Sequence, residues 1–471
     1  MTDIGLIGLG VMGKNIALNI ANKGYSVSVY NKTSQKTKNF VNDEAKDKDI
    51  HAYYDIESFI GSLSKPRKIL LMVKAGEPVD NMIKKLLPHL DKGDLIMDGG
   101  NTYYPDTTRR INELKETGIL YLGMGISGGE SGALNGPSLM PGGSREAYDL
   151  VEDILLKIAA QTEAGPCCAY IGNDSAGHFV KMLHNGIEYG MMQGMAEVYD
   201  ILRKVLKLSA KEIGDVFEKW NEGELNSFLM EISYKIMRHR DEETGKPTVE
   251  IILDKAGQKG TGKWTAQTAF DNGIPAPSLS AAVEGRVLSY FKEDRTNLSK
   301  KIVKKHIQTK YDKEIIIKDL ENSLLFSNLI LFSQGLWIMA EASKINDFDI
   351  NISEVLKIWK GGCIIRAKML DFMREIIDED KENASLLNNE KSLKFLMDKL
   401  DSVKNITNIA KDFYIPTLVH NTALDYFFSM VEENLPAHSI QAQRDFFGAH
   451  TFERIDEEGH LHHEWGVDHE A

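Results

Sequence analysis

A stripe of polar side chains recurs at helical spacing between residues 181 and 189. Its members fall at i, i+3, i+4, i+7 and i+8 and share one helix face: Lys181, His184, Asn185, Glu188 and Tyr189. Most of the other face is apolar, which predicts a buried helix whose stripe faces a cavity; a solvated face is the alternative. Lys181 and Glu188 lie about 10 Å apart along the axis. An amine and a carboxyl on one wall can supply a base and an acid to one small substrate without a metal.

A glycine-rich segment follows the first apolar run and opens an amphipathic stretch. In this context one glycine permits a tight turn, one lets the backbone approach a pyrophosphate, and one allows close helix packing. The segment therefore predicts a dinucleotide site, with a purely structural turn as the alternative. Its residues are Gly8, Leu9, Gly10, Val11, Met12 and Gly13.

The end of the second apolar run indicates which dinucleotide is bound. An acid there would hydrogen-bond the ribose 2′-hydroxyl of NAD, but this chain has Asn31, Lys32 and Thr33. These residues do not repel a 2′-phosphate and they supply donors to it, so they favour NADP over a plain turn. Ligands sit at the carboxyl ends of strands in such sheets, which adds the residues after later apolar runs: Val73, Lys74, Ala75 and Asn101.

The loop at 254–264 resembles the glycine-rich loop that binds nucleoside triphosphates, but it departs from that pattern at Trp264, where a magnesium-binding Ser or Thr is needed. The loop suits an anionic substrate instead, with backbone N–H groups and Lys259 converging on a phosphate. Arg286 follows in a helical segment. Its guanidinium fork suits phosphate, although a lone arginine is more often a surface residue.

The tail after Pro436 carries two more candidates, Arg444 and His450. It ends in histidines that look like metal ligands, but acids surround them and no cysteine is near, which favours a solvated tail and no metal site: His460, His462, His463 and His469. The tail has too few apolar residues for a core of its own, and such a segment gains order by docking.

The composition is that of an ordinary folded protein. The 471 residues are 42% hydrophobic and suggest roughly two to four domains. A formal charge of −13 argues against nucleic-acid binding, since phosphates need a basic footprint. Three cysteines indicate a reducing compartment. With neither a basic leader nor a run of about 18 apolar residues, the sequence predicts a cytoplasmic, non-membrane protein.

The elements that must position these residues change type near residue 175. Before it, short apolar runs alternate with amphipathic stretches, which predicts βαβ units and a parallel sheet. A final strand is expected over 167–171, and a glycine-rich stretch over 123–143 is expected to form a loop close to a ligand. After residue 175 helical spacing dominates, beginning with a long helix over about 175–208. The domains are predicted at 1–175, 176–433 and 434–471.

Taken together, these residues resemble the 6-phosphogluconate dehydrogenase family, the oxidative decarboxylases of the pentose phosphate pathway. The most specific part is the segment from Ile252 to Trp264, and the resemblance covers essentially the whole chain. The other matching motifs follow in the expected order: Gly-Leu-Gly-Val-Met-Gly at residues 8–13, Ser127-Gly128-Gly129, and Lys181-x-x-His184-Asn185-x-x-Glu188-Tyr189.

The resemblance implies an α/β Rossmann-type N-terminal domain, then a large all-α domain, then a C-terminal tail that reaches the neighbouring subunit of a homodimer. The substrate it implies is a phosphorylated sugar acid. Its phosphate would be held by Tyr189, Lys259 and Arg286, with Arg444 of the partner subunit and His450 of the partner subunit nearby. The sugar acid itself would contact Asn101, Ser127, Gly128, Gly129, His184 and Asn185.

The implied mechanism needs no metal. Neutral Lys181 takes the C3 hydroxyl proton while hydride passes to NADP, and protonated Lys181 then polarises the carbonyl as carbon dioxide leaves. Glu188 protonates C1 to give ribulose 5-phosphate. The chain departs from the family at Lys32, where arginine is usual, which keeps the charge but loses the planar fork.

Two alternatives remain open. A smaller β-hydroxyacid dehydrogenase of the same superfamily shares the nucleotide loop, the Ser-Gly-Gly loop and a catalytic lysine, but chain length and the loop at 257–264 count against it. A non-enzymatic NADP-sensing protein would keep the nucleotide site and should lack the Lys181 and Glu188 pair.

Overall fold

The first part of the chain forms a seven-stranded sheet in the strand order 3-2-1-4-5-6-7. All neighbours are parallel except the last pair, so the predicted parallel sheet is confirmed with one antiparallel edge strand. The strands are mostly apolar because helices bury both faces. They are β1 (Ile4–Ile7), β2 (Val27–Tyr30), β3 (Ile50–Tyr53), β4 (Lys68–Leu71), β5 (Leu95–Asp98), β6 (Leu120–Ser127) and β7 (Ser138–Gly143).

Two apolar clusters lie on the opposite faces of this sheet. Adjacent residues of β1 point to different clusters: Leu6 packs with Ile16 and Phe40, whereas Ile7 packs with Phe59 and Ile83. This alternation follows from the two-residue period of a strand. The surrounding helices are α1 (Val11–Asn22), α2 (Ser34–Asn42), α3 (Ile56–Gly61), α4 (Glu77–Leu86), α5 (Tyr104–Lys115), α6 (Gly129–Asn135), α7 (Arg145–Asp149) and α8 (Glu152–Ile158).

The register of the strands brings their carboxyl ends to one edge. Ile7 pairs with Tyr30 on one side and with Leu71 on the other, and Leu71 pairs in turn with Asp98. The loops after β1, β2, β4 and β5 therefore begin side by side. The strand order reverses between β1 and β4, which is where open sheets of this kind bind ligands.

The second part of the chain is helical, as predicted. After a small hairpin of β8 (Gln161–Thr162) and β9 (Gly165–Pro166), the long helix expected near residues 175–208 is confirmed as α9. The helices are α9 (Ala176–Lys204), α10 (Ala210–Asn221), α11 (Phe228–Arg238), α12 (Thr248–Ile251), α13 (Thr261–Asp271), α14 (Pro277–Tyr290), α15 (Lys292–Ser299), α16 (Lys313–Ile345), α17 (Ile352–Ile358), α18 (Met369–Glu379), α19 (Glu390–Asp412), α20 (Leu418–Val431) and α21 (Ala437–Gly448).

Helix α16 is long and apolar enough to cross a membrane by length and composition alone. In the structure, however, 89% of its most apolar window is buried inside the protein. It packs against α9 and α19. Its apolar character is therefore explained by its position in the core.

The glycine-rich stretch at 123–143 is not the loop that its composition predicts. It forms the end of β6, all of α6 and β7, and Pro141 is tolerated because β7 is an edge strand. Glycine is needed because α9 lies directly on these strands: a Cβ on Gly125 would stand 2.4 Å from the Cβ of Lys181. The close approach inferred from the glycines is real, but the approaching group is helix α9, which carries the polar stripe.

The strand predicted over 167–171 is also wrong. This segment runs beside β7 and pairs with it only at separate points, where Leu139 donates to the Cys167 carbonyl and Ile171 donates to that of Pro141. Isolated bridges of this kind do not make a regular strand.

The computed structural model describes residues 1–304, 311–380 and 385–466. Its contacts divide the chain into two compact units, Met1–Ala423 and Leu424–Ala471. Both the sheet and most of the helices belong to the first unit. The second contains α21 and the acidic tail, of which His469 lies outside the described residues.

Candidate active site

The turn between β1 and α1 has the geometry expected of a dinucleotide loop. Gly8 has φ +106°, and a Cβ there would lie 2.4 Å from the carbonyl oxygen of Met72. A Cβ on Gly13 would lie 1.9 Å from the carbonyl oxygen of Gly8, so this glycine allows the helix to close on the strand. Gly10 has open space around it and begins α1, where free backbone N–H groups can receive a pyrophosphate.

A cavity of about 820 Å³ opens at this edge of the sheet. Most of the predicted nucleotide-binding residues line it, together with Lys259 from the helical part of the chain: Gly10, Val11, Met12, Gly13, Val73, Lys74, Ala75 and Asn101. Gly8, Leu9 and the three residues after β2 are not among its lining residues. The cavity is large enough for a small-molecule ligand.

The loop after β2 is fastened to the glycine turn. The Leu9 backbone N–H donates to Asn31 Oδ1 at 3.0 Å, and Asn31 Nδ2 donates to the Thr33 carbonyl at 3.2 Å. Lys32 and Thr33 are exposed beside this contact. Asn31 thus shapes the loop, while Lys32 remains accessible to a ligand.

An aromatic contact joins the two sides of the cavity. Tyr103, after β5, stacks on Trp264 of α13, with ring centroids 4.8 Å apart and an interplanar angle of 27°. Trp264 is the residue that departs from the triphosphate-loop pattern, and the stack gives it a structural role. Tyr103 itself was missed in the sequence, although it lies two residues beyond Asn101.

The polar stripe of α9 is buried apart from Glu188, whose side chain is 21% exposed, so the stripe is not a solvated face. Lys181 is 5% exposed and His184 is fully buried. Lys181 Nζ donates to Asn185 Oδ1 at 2.8 Å, and His184 Nδ1 lies 3.0 Å from the same oxygen. Asn185 Nδ2 donates to Thr261 Oγ1 at 3.3 Å. These three residues of the stripe therefore form one connected network that links α9 to the start of α13.

His184 connects this network to β6 and to a residue that sequence reasoning missed. Its Nε2 lies 3.1 Å from Ser127 Oγ and 2.8 Å from the sulfur of Cys363. A Cβ on Gly128 would approach the carbonyl oxygen of Gly362 to 2.7 Å, so the Ser-Gly-Gly turn and the segment before Cys363 pack backbone to backbone. The glycine pair 361–362 was the available signal for this second loop.

Burial moves the two candidate proton-transfer groups toward their neutral forms. Desolvation lowers the pKa of the Lys181 amine, although Glu188 opposes the shift. Desolvation likewise raises the pKa of the Glu188 carboxyl, opposed by Lys181 and Arg286. The pKa of His184 falls well below its usual value because of desolvation and the nearby lysine. Such paired shifts suit general acid and base chemistry.

Arg286 lies at the other end of the stripe. Its guanidinium carbon lies 3.4 Å from the centroid of the Tyr189 ring, and Nη1 donates to the Gly257 carbonyl at 2.9 Å. The glycine-rich loop, α14 and the end of the stripe thus meet here. Lys259 of the same loop is exposed and lines the cavity.

Arg444 and His450 belong to the second unit, where both are exposed. Arg444 Nη1 donates to Gln441 Oε1 at 3.0 Å. Among the residues that the structure describes, no group of three or more histidine, cysteine, aspartate or glutamate side chains is arranged to hold a metal ion.

The fold and site together define a nicotinamide-dependent dehydrogenase: an open sheet with a glycine turn at its switch point, where such sheets bind dinucleotides, next to a buried amine and a partly buried carboxyl. Residues 3–172 match the family model described as the NAD binding domain of 6-phosphogluconate dehydrogenase, and residues 177–465 match that of the C-terminal domain. The chain belongs to the 6-phosphogluconate dehydrogenase family. The resemblance seen in the sequence is confirmed.

Named relatives match over nearly their whole length. One Bacillus subtilis protein, an NADP(+)-dependent decarboxylating 6-phosphogluconate dehydrogenase, is 49% identical over 98% of this chain and 99% of its own. A second B. subtilis protein, named as the NAD(+)-dependent enzyme, is 46% identical over 98% of this chain and 99% of its own. The solved Plasmodium falciparum 6-phosphogluconate dehydrogenase is described in complex with NADP+ and in complex with 6-phosphogluconate. Its structure matches this one with a TM-score of 0.95 at 43% identity, over 98% of this chain and 100% of its own.

Proposed function

We propose that this protein oxidises and decarboxylates 6-phosphogluconate with NADP, giving ribulose 5-phosphate, carbon dioxide and NADPH. The observation that carries the proposal is the buried amine of Lys181, linked through Asn185 and His184 to the Ser-Gly-Gly turn. The full-length match to decarboxylating enzymes supports this activity over a smaller β-hydroxyacid dehydrogenase or an NADP sensor.

In this mechanism Lys181 begins neutral, which the desolvated site favours. It takes the proton of the C3 hydroxyl, and NADP held at the open glycine turn would supply the acceptor for the hydride that leaves C3. As carbon dioxide leaves, the ammonium form of Lys181 gives its proton to the former carbonyl oxygen, which neutralises the charge that develops there and yields the enediol. His184, Asn185 and Ser127 hold the sugar acid in place, and Asn101, Gly128 and Gly129 complete its contacts.

Glu188 completes the reaction by protonating C1 of the enediol, while neutral Lys181 takes the proton of the hydroxyl that becomes the ketone. The raised pKa of Glu188 suits this role, because a carboxyl that holds its proton at higher pH can act as the acid. Tyr189, Lys259 and Arg286 hold the substrate phosphate. The charge on Lys259 and the forked guanidinium of Arg286 both suit a dianion.

The activity is tested with purified protein, NADP and 6-phosphogluconate in the presence of a chelator. We expect NADPH and carbon dioxide to form in equal amounts without added metal. Turnover of 3-hydroxyisobutyrate in place of 6-phosphogluconate would indicate the smaller dehydrogenase. NADP binding without turnover of either acid would indicate the sensing protein.

NADP is proposed as the cofactor because Lys32 is exposed beside the β2 loop and no carboxylate stands at positions 31–33. The family itself includes relatives named for either cofactor, so these positions matter. We expect Lys32→Ala to raise the KM for NADP by about 10- to 100-fold, the value of one charge-assisted contact. The KM for NAD should change little.

The matched control is Lys46→Ala. Lys46 is also exposed, but it precedes β3 and so lies toward the amino ends of the parallel strands, away from the glycine turn. It should leave both Michaelis constants unchanged. Equal losses for NADP and NAD in Lys32→Ala would show that Lys32 does not bind the 2′-phosphate.

The proposal also includes a cytoplasmic homodimer. The three cysteines are all free, which suits a reducing compartment. Large apolar side chains are exposed on and beside α14 and α15, and such a surface is suited to contact with a second copy: Leu288, Phe291, Leu298 and Ile302. The tail of one subunit would then bring Arg444 and His450 to the substrate phosphate of the other.

A further inference from the structure

The second unit is organised around one buried carboxylate. Asp445 follows Arg444 in α21, and its side chain is fully buried. Oδ1 accepts from the Thr451 backbone N–H at 3.0 Å and from His462 Nδ1 at 2.9 Å. Oδ2 accepts from the His463 backbone N–H at 3.1 Å and from Trp465 Nε1 at 2.9 Å. A single side chain thus binds both the turn after α21 and the end of the tail.

The turn after α21 has a backbone that needs such support. Ala449 and Thr451 have φ angles of +48° and +60°, a region that residues other than glycine, asparagine and aspartate rarely adopt. His450 lies between them, with its ring folded over Gly448, where a Cβ would be 2.6 Å from Nε2. Strained backbone persists only where its surroundings fix it, and it is common at functional sites.

A second side chain connects this turn to Arg444. Gln441 Oε1 accepts from Arg444 Nη1, while Gln441 Nε2 donates to the Thr451 carbonyl. Thr451 is therefore held from both sides, by Asp445 at its N–H and by Gln441 at its carbonyl. Arg444 and His450, both exposed, are tied to the same small network.

Residues 452–465, here called the strap, close over Asp445. Phe452 and Leu461 exchange backbone hydrogen bonds of 2.8 and 2.9 Å. Trp465 also packs against Phe446, with ring centroids 6.1 Å apart. The histidine-rich tail is exposed, as the sequence predicts, but the His462 ring and the His463 backbone also bind Asp445. The interactions of the strap lower the pKa of Asp445 to about 2, so it is a carboxylate at neutral pH.

We infer that Asp445 is a positioning residue that uses the strap to fix Arg444 and His450 in the arrangement needed to bind the substrate phosphate of the other subunit. The inference rests on the proposed function, in which both residues contact that phosphate. Exposed side chains bind a phosphate well only when their backbone is fixed beforehand. The network around Thr451 supplies that fixed backbone.

The test is Asp445→Asn in the full chain. We expect the KM for 6-phosphogluconate to rise about tenfold or more, with kcat and the KM for NADP within about twofold of wild type. Inhibition by inorganic phosphate should weaken by a similar factor. The matched control is Asp456→Asn, because Asp456 lies in the strap but is exposed and paired with Arg454. This control should behave as wild type.

His462→Ala is a milder variant that removes one donor to Asp445 without changing α21. It should raise the KM for 6-phosphogluconate in the same way by a smaller factor, and it keeps the inference testable if Asp445→Asn folds poorly. Combined with Arg444→Ala, Asp445→Asn should cause a smaller loss than it does in the wild-type background, because the part of its effect that passes through Arg444 is already lost.

Other outcomes would overturn the inference. An unchanged KM for 6-phosphogluconate in both variants would show that the strap does not position the phosphate-binding residues. Loss of the dimer, or a fall in kcat with KM unchanged, would assign Asp445 to assembly or stability instead. If the losses caused by Arg444→Ala and Asp445→Asn simply multiplied in the double variant, Asp445 would likewise not act through Arg444. Absence of 6-phosphogluconate turnover in the wild type would overturn the proposed function as well.

Discussion

Lys181→Met should abolish NADPH formation from 6-phosphogluconate while leaving NADP binding intact. Methionine fills much of the same buried space but has no proton to exchange, so the C3 hydroxyl loses its base. General bases contribute about 10²- to 10⁴-fold, and we expect a loss of kcat in this range. Single-turnover NADPH formation and a separate NADP titration measure the two effects.

The matched control is Lys204→Met, on the last turn of the same helix, where the lysine pairs with Asp200 and is partly exposed. It should keep near-normal turnover. Glu188→Gln should differ from both: a first turnover of NADPH should form, and the later protonation of C1 should be slow. Near-normal turnover in Lys181→Met would exclude this lysine as the base.

The sequence was most informative where function depends on local periodicity. The stripe lies within α9, and the glycine turn joins β1 directly to α1, so spacing along a short segment places the residues of each site together. Helix period and strand-to-helix context are sufficient for such sites. The long helix and the parallel sheet were predictable for the same reason.

Composition alone misled where glycine serves packing between elements. The stretch at 123–143 contains strands because α9 lies against it, and that contact joins segments about 50 residues apart. The glycine content of this stretch does not show which distant segment of backbone packs against it. Tertiary context therefore overrides the low strand propensity of glycine.

The contacts missed in the sequence span even longer separations. His184 and Cys363 are 179 residues apart, and no local period relates them. In the tail, Asp445 binds partners that are 6 to 20 residues away across an irregular turn. The acids and histidines of residues 453–466 are exposed, as predicted, but sequence composition does not show that the one buried carboxylate of Asp445 accepts hydrogen bonds from several groups of the tail.

Refolding two inactive variants together should restore activity if the site is shared between subunits. Arg444→Ala and Lys181→Met homodimers should each be nearly inactive, one for lack of phosphate binding and the other for lack of a base. In a mixed dimer both lesions fall in one site and the other site is intact. Random pairing makes half of the dimers mixed, so activity should recover to about a quarter of wild type when the sites act independently.

The control pairs Lys181→Met with Glu188→Gln. Both residues lie on α9 of one chain, so every site in that mixed dimer carries a lesion, and activity should not exceed that of the two parent variants. Native mass spectrometry measures the fraction of mixed dimers in both experiments. If mixed dimers of Arg444→Ala and Lys181→Met form but remain inactive, either Arg444 acts within its own chain or the two sites are strongly coupled. Recovery in that pair alone would place Arg444 across the subunit boundary, because complementation requires the arginine and the lysine of one site to come from different chains.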